Sequence, residues 1–465
     1  MREYGRVLHA YISGESTELL THHERFHGPF FELVLIEIEN ALDLTETREI
    51  YNMRHTVTFL ANVLGLFFFF LLGKKLLKNQ WLSLIAVVLL ATSPRVFSSL
   101  IYNSKDTVFM MAFIASVWSL HVGYEKRSTK WMLLHGVLVA IAITVRILGI
   151  LLPAITMFAL LFMPAAFPKK AKMGGVYLLT VVAFVIAFWP VLWPSPFPQL
   201  KAAFEFMSQF PWDDFSLFEG QFLMPKQMPW YYLPKWIIMT TPLLQVVLGL
   251  IGPVAWIIYR KNSTFKWVMA IWAIAPLLSI IVLSATVYDT WRHVYFIYPA
   301  WIIMGVEMLR QVYNRIQNPS IRKAGIAVFV LIIGSNLAWS TVNHRNLQCY
   351  FNPLFRTDAA LNYEYDFWGL AYLESLQWIV AENPEGAIYL SVANAPGYYN
   401  HLMLDNTDRE RIEFVSRDSA DYFLSNFRFP PDFELYRAEK HPYQNLVFEV
   451  NVDGNRALGV YQPNP

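Results

Sequence analysis

Two cations and a carboxylate crowd the stretch Ser93-Pro94-Arg95-Val96-Phe97-Ser98-Ser99-Leu100-Ile101-Tyr102-Asn103-Ser104-Lys105-Asp106, which lies between two strongly apolar runs. Asp106 opens the second run, Thr107-Val108-Phe109-Met110-Met111-Ala112-Phe113. A charge at the mouth of a membrane-crossing helix points to a functional site, whereas a carboxylate there also caps the helix and complements its dipole. Position alone leaves both readings of Asp106 open. Arg146 sits between Ile143-Thr144-Val145 and Ile147-Leu148-Gly149-Ile150 with no acid beside it. Its guanidinium must snorkel or meet an anion, and a phosphate suits its fork of donors. Arg292 and His293 lie in Tyr288-Asp289-Thr290-Trp291-Arg292-His293-Val294-Tyr295, where Asp289 is a local partner for Arg292 worth little if solvated. Arg54 with His55 forms a further cationic pair. A lipid-linked phosphate ester entering from the bilayer would meet this set of cations and a carboxylate head on.

Other chemistries find no support. There is no zinc-ligand spacing, Gly-rich phosphate loop, Ser-His-Asp order or nucleic-acid motif. His22, His23 and His27 lack the helical spacing of a metalloprotease and read as local loop polarity. The single Cys349 cannot form an internal disulfide, so cysteine usage does not reveal the redox compartment.

The elements that must carry these residues follow from hydropathy. The 465 residues are 55% hydrophobic and 15% charged, and the mean hydropathy is +0.34. A soluble domain carries about 25% charged residues, so the chain is a polytopic membrane protein, mainly α. About ten spans are expected: Thr56–Leu72, Trp81–Ala91, Thr107–Val122, Trp131–Val145, Leu148–Met163, Gly174–Leu192, Ile237–Tyr259, Trp267–Thr286, Val294–Leu309 and Ala324–Trp339. Several are shorter than the ~20 residues of a full span, which predicts broken or tilted helices. Pro164, Pro253 and Pro299 give local reasons for kinks.

Lys and Arg gather in alternate loops at 74–78, 126–130, 169–172, 260–266 and 310–323, which the positive-inside rule places in the cytoplasm. The loop at 93–106, the Arg146 turn, the Trp-rich loop 194–234 and the segment 288–293 then face the other compartment. So do residues 1–53 and 342–465. The first carries an amphipathic run, Phe30 to Glu39, expected as a surface helix. A preceding helix is expected upstream of Met1. The second reads as a small extracytoplasmic α/β domain, with a helix at Tyr372–Val380, strands at Ala387–Val392 and Arg411–Val415, and a hairpin at Leu446–Tyr461 turning on Asp453-Gly454. Residues 54–341 form the transmembrane domain between them. Trp230 and Tyr231 stand where aromatic residues make either an interfacial belt or a ligand contact.

Several motifs together resemble a known group. They are Phe26-His27-Gly28-Pro29-Phe30-Phe31-Glu32, the segment from Ser93-Pro94-Arg95 to Lys105-Asp106, Pro229-Trp230-Tyr231-Tyr232 and Tyr288-Asp289-Thr290-Trp291-Arg292-His293. Tyr350-Phe351-Asn352-Pro353 and Tyr365-Asp366-Phe367-Trp368-Gly369-Leu370 complete the set. The chain is similar to the GT-C superfamily of polytopic glycosyltransferases, within it to the bacterial family-39-like enzymes related to protein O-mannosyltransferases and lipid A aminoarabinose transferases.

The resemblance implies a multi-pass protein of the bacterial plasma membrane. It implies a polyprenyl-phosphate sugar as donor and a protein, lipid or glycan as acceptor, with inverting single displacement and no metal cofactor. By it, Asp106 matches a catalytic carboxylate and Arg292 the arginine that contacts the donor phosphate. Arg95, Lys105, Arg146 and His293 join Arg292 in the expected phosphate set, and Trp230, Tyr231 and Asp289 are expected to contact sugar or acceptor. The chain departs from the family in its first external loop, whose acidic residue follows a first helix absent here; Glu3 is the nearest carboxylate. Two other readings are a transporter or flippase for a lipid-linked substrate, which predicts inverted repeats and midplane charges where this sequence has neither, and a GT-C-like binding protein without catalysis, suggested by the missing first carboxylate.

Overall fold

Short polar residues stop and restart the chain between its apolar runs. The Asn79 side chain accepts from the N–H groups of Trp81 (2.8 Å) and Leu82 (3.1 Å), Ser263 from Lys266 (3.2 Å), and Asn318 from Ser320 (2.8 Å). Each satisfies donors that the first turn of a helix leaves free. The computed structural model describes residues 1–430, Phe433 and 445–463. Its helices are α1 (Arg2–Ile12), α2 (Phe30–Ala41), α3 (Thr47–Leu77), α4 (Gln80–Ala91), α5 (Pro94–Tyr102), α6 (Asp106–Lys126), α7 (Thr129–Val145), α8 (Leu151–Leu161) and α9 (Phe167–Phe188). They continue as α10 (Pro196–Ser208), α11 (Tyr232–Thr240), α12 (Leu243–Tyr259), α13 (Thr264–Val282), α14 (Tyr298–Arg315) and α15 (Pro319–Val342).

The chain is an integral membrane protein with a helical body and a small C-terminal sheet domain. Each expected apolar run lies mostly in helix, though 174–192 and 267–286 outrun α9 and α13, which end at Phe188 and Val282. Among the described residues, five single helices are long and apolar enough to cross a bilayer: α3, α6, α9, α13 and α15. The others are shorter or broken, as their lengths predict. Run 237–259 breaks at Thr241-Pro242 into α11 and α12. Pro253 and Pro276 lie inside helices, Pro299 in the first turn of α14, and Pro164 in the link between α8 and α9. Gly252 lets α12 and α14 meet backbone to backbone, since a Cβ there would lie 2.6 Å from the Gly305 nitrogen.

Three local expectations are corrected. The stretch 93–106 is mostly helix: α4 and α5 meet at 78°, because Ser93 before Pro94 is extended (ψ 109°) and cannot continue a helix. Residue 53 lies within α3, which starts at Thr47, so helix runs through the expected domain boundary. The amphipathic run is α2, but one face, including Phe31, Glu32, Leu35 and Ile36, is buried against neighbouring helices.

The C-terminal domain holds a helix at Ala371–Glu382 and a mixed five-stranded sheet. Numbered with the short hairpin β1 (Ser216–Phe218) and β2 (Gln221–Leu223), its strands are β3 (Ile388–Val392), β4 (Ile412–Phe414), β5 (Tyr422–Ser425), β6 (Asn445–Val452) and β7 (Asn455–Gln462), ordered β4-β3-β5-β7-β6. The β6–β7 hairpin turns on Asp453 and Gly454, both at positive φ. The loop hairpin docks on this domain: Phe218 bridges to Tyr363.

Candidate functional site

Asn103, not Asp106, closes the start of α6. Its Oδ1 accepts the Lys105 and Asp106 N–H groups at 3.1 and 2.8 Å, and its Nδ2 donates to Asp106 Oδ2 at 2.9 Å. That corner is fixed to α3 by Asn62, whose Nδ2 donates to Leu100 O at 2.9 Å and Thr107 Oγ1 at 3.1 Å. In an apolar surround such bonds hold position because a freed polar group has no water to turn to.

The Asp106 carboxylate, 2% exposed, is thereby free to meet cations from elsewhere in the chain. It forms an ion pair with Arg146 at the end of α7 and accepts from Arg292 Nη1 at 3.0 Å. Arg146 finds its counter-charge 40 residues away in sequence rather than by snorkelling. Arg292 Nη2 donates to Asp289 Oδ2 at 2.9 Å. This pair is buried, not the solvated contact that spacing suggested. The other Asp289 oxygen accepts Arg428 Nη2 of the C-terminal domain at 2.8 Å. Asp289 is thus fully engaged by two arginines.

The turn that carries Arg292 is unusual. Asp289 (φ 50°) and Thr290 (φ 70°) are both left-handed, a costly conformation for β-branched Thr290. The turn persists because Thr290 N–H donates to the Tyr232 hydroxyl at 3.1 Å and Trp291 Nε1 to Thr240 Oγ1 at 2.9 Å. The Arg292 guanidinium also lies 5.2 Å from the Tyr288 ring centre and 5.5 Å from that of Trp368. Trp212 stacks on Tyr288 at 4.1 Å. His293 packs edge-on against Tyr288 at 4.7 Å. Burial and the nearby Arg292 and Arg146 push its pKa well below the imidazole range, so it offers hydrogen bonding rather than charge.

The N-terminal segment completes this mouth. Gly28 docks on the end of α7, where a Cβ would fall 2.3 Å from the Val145 carbonyl oxygen, next to Arg146. His27 lies 2.6 Å from Glu24, so these residues are more than loop polarity. The contact with His27 lowers the Glu24 pKa to about 2, while burial lowers that of His27. Glu32 pairs with Arg54, both buried, and accepts from Ser104 Oγ at 2.9 Å; Arg54 is therefore neutralised and no anion receptor. Lys105 has no paired carboxylate among the described residues. Burial pushes it down to about 8, Glu24 and Glu32 counter this, and Arg146 and Arg292 add to it.

Three expected residues lie apart. Arg95 is fully buried: its Nε donates to Tyr350 O at 3.0 Å, and its guanidinium lies 4.9 Å from the Phe351 ring and 5.3 Å from that of Trp236. Those contacts anchor the chain after α15 and do not join the Asp106 cluster. Tyr231 donates to Glu219 at 3.1 Å, Glu219 also pairs with Lys235, and Trp230 is 70% exposed beside Tyr231. It is the adjacent Tyr232 that touches the Arg292 turn. Sequence reasoning missed Glu24, Arg428 and Glu364. Only Glu24, three residues before His27, had a local signal.

Around Asp106 and Asp289, two carboxylates face three guanidiniums from Arg146, Arg292 and Arg428. One positive charge remains, with the Lys105 ammonium close by. A buried excess of this kind is met by a bound anion.

Residues 52–193 match the family model described as dolichyl-phosphate-mannose-protein mannosyltransferase. That span contains Arg95, Lys105, Asp106 and Arg146. No curated protein sequence matches the chain. Among solved structures, ArnT from Cupriavidus metallidurans bound to undecaprenyl phosphate aligns at 14% identity and TM-score 0.49, covering 94% of this chain and 88% of that one. The oligosaccharyltransferase AglB from Archaeoglobus fulgidus, in complex with an inhibitory peptide and a dolichol-phosphate, aligns at 11% identity and TM-score 0.45, over 86% of this chain. Its apo form aligns equally well, and the chain spans 62% of its length. The family-model match covers less than half of the chain and bears on that span alone.

Proposed function

We propose that this GT-C-type protein transfers a sugar from a polyprenyl-phosphate donor to an acceptor on the extracytoplasmic side of the membrane. The observation that carries the reading is the cluster in which Arg146 and Arg292 share Asp106 beside Lys105, which has no paired carboxylate among the described residues. A polyprenyl-phosphate sugar is a phosphodiester with one negative charge, matching the excess cation of the site. In an inverting displacement the acceptor oxygen bonds to the anomeric carbon as the carbon–phosphate oxygen bond breaks on the opposite face. The bond pair leaves with the phosphate, whose charge grows by one, and the acceptor proton passes to a base. Guanidiniums held in a low-dielectric surround stabilise that growing charge more than the ground state, which is what accelerates the step.

Asp106 is the carboxylate that sets the cations in place. Tied to two guanidiniums, it holds Arg146 and Arg292 where the phosphate charge develops. For the acceptor proton, His27 is the candidate base: burial keeps it neutral in the resting site, and the ionised Glu24 beside it stabilises the cation formed as it takes the proton. The chain needs no resident metal in this scheme. The donor phosphate, the bilayer and a hydroxyl-bearing or amide-bearing protein, lipid or glycan are its partners.

The test is transfer from a panel of undecaprenyl-phosphate sugars by the full chain in nanodiscs, with Arg292→Ala and Arg146→Ala beside wild type. Turnover with at least one donor, reduced roughly 100-fold or more in both variants, supports the reading. Undecaprenyl phosphate binding unaffected by either substitution overturns it.

A further inference from the structure

Arg428 belongs to the C-terminal domain, just beyond β5, yet it reaches into the membrane body. Its Nη2 donates to Asp289 Oδ1 at 2.8 Å across a separation of 139 residues. Its Nη1 donates to Phe367 O at 2.6 Å, which ties the guanidinium to its own domain. The loop that presents it is firmly set: Phe427 is left-handed (φ 59°), its N–H donates to Ser425 Oγ at 3.0 Å, and Asn426 Nδ2 donates to Asp366 O at 2.8 Å. Asp289 therefore takes one oxygen's bond from each domain, Arg428 on Oδ1 and Arg292 on Oδ2. Because Asp289 and the following Thr290 are both at positive φ, the turn does not hold itself and needs outside contacts.

The surroundings leave Asp289 as the counter-charge for Arg428. Glu364, buried beside it, forms no ion pair with Arg428 among the described residues. Burial, with the Asp289 charge added, pushes Glu364 up to about 8, so it is mostly protonated at neutral pH. Asp289 is then the carboxylate that Arg428 pairs with among the described residues, with the Asp214 charge also near, and it is the same carboxylate that orients Arg292.

We propose that Arg428 is a positioning residue: through Asp289 it fixes the Arg292 guanidinium against the donor phosphate, so that the seating of the C-terminal domain sets donor affinity. The proposal rests on the reading of Arg292 as a phosphate-binding residue. It goes further in making a group from the soluble domain, without contact to the donor, a determinant of donor binding.

A double-mutant cycle separates this from a general structural role. Undecaprenyl phosphate binding to the full chain is measured for wild type, Arg428→Ala, Arg292→Ala and the double variant, with Arg428→Lys as a conservative control. Arg428→Ala is expected to weaken binding roughly tenfold in the wild-type background and by less than about twofold when Arg292 is already Ala. Arg428→Lys, which can still donate to Asp289, is expected to recover most of the affinity, and Arg428→Gln, which removes the charge, takes the place of the alanine variant in the cycle if that one does not fold. Equal losses in the two backgrounds, or no loss in either, overturn the proposal. Normal binding by Arg292→Ala alone overturns the phosphate reading beneath it, a separable result.

Discussion

Replacing Asp106 by Asn keeps the side-chain volume and one carbonyl oxygen for Asn103 but removes the charge that Arg146 and Arg292 share. Removing one partner of a buried ion pair costs about 3–5 kcal/mol, because the remaining charge stays desolvated. Here two guanidiniums are released at once. Part of that cost falls on both ground and transition states and cancels. If about 3 kcal/mol of orientation is lost in the transition state alone, turnover falls by a factor of roughly 100. Binding of the lipid phosphate moves differently, since the pocket gains a positive charge as it loses its alignment. Asp106→Asn should therefore slow transfer from a polyprenyl-phosphate sugar roughly 100-fold while undecaprenyl phosphate binds at least as tightly as to wild type. Single-turnover transfer in nanodiscs, with binding measured on the same preparation, separates the two effects. Transfer within threefold of wild type would refute the reasoning.

Lys105 is held at about 8, so the free site loses this charge as pH rises through that value; lipid-phosphate affinity should fall above pH ~8, and Lys105→Arg should remove that limb of the profile. Glu364, raised to about 8 by burial and the Asp289 charge against the opposing pull of Arg428, Ser216 and Arg292, binds more protons folded than unfolded between its ordinary pKa and 8. Stability should decline with rising pH across that window, and Glu364→Gln should flatten the slope in thermal unfolding scans. Gly28→Ala forces a Cβ onto the Val145 carbonyl; it should destabilise the protein by about 1–3 kcal/mol and displace the neighbouring Arg146, seen as a lower unfolding midpoint with weaker phosphate binding. Glu32→Gln leaves buried Arg54 uncompensated and should cost about 3–5 kcal/mol in denaturant unfolding.

Much of the helical body was legible because apolar runs in a bilayer have one good way to satisfy their backbone. The short elements were less so. Helix α5 hides in a stretch whose Ser, Arg, Asn and Lys residues look like a loop, yet Val96 and Leu100 bury one face while Phe97 and Ile101 lie outward. The β6–β7 hairpin was legible from Asp453-Gly454, since two left-handed residues in a row favour that pair. At the site, residue types were readable and partners were not. Arg146 announced a need for an anion, but nothing local pointed to Asp106. Arg54 looked available because Glu32 sits on a different helix. Trp230 and Tyr231 attracted attention by composition, whereas Tyr232 touches the turn, a difference of one residue that helix phase decides. Arg428 gave no signal, since its role depends on how two domains meet.

The central claim is that Arg146, Arg292 and Lys105 hold the phosphate of a polyprenyl lipid while Asp106 keeps the arginines aligned. A cryo-EM structure of the full chain in nanodiscs with undecaprenyl phosphate tests it directly. The phosphate is predicted to lie within hydrogen-bond reach of both guanidiniums, with Asp106 still contacting at least one of them. Phosphate density seated elsewhere, with the Arg146–Asp106–Arg292 cluster closed and unchanged, would contradict it.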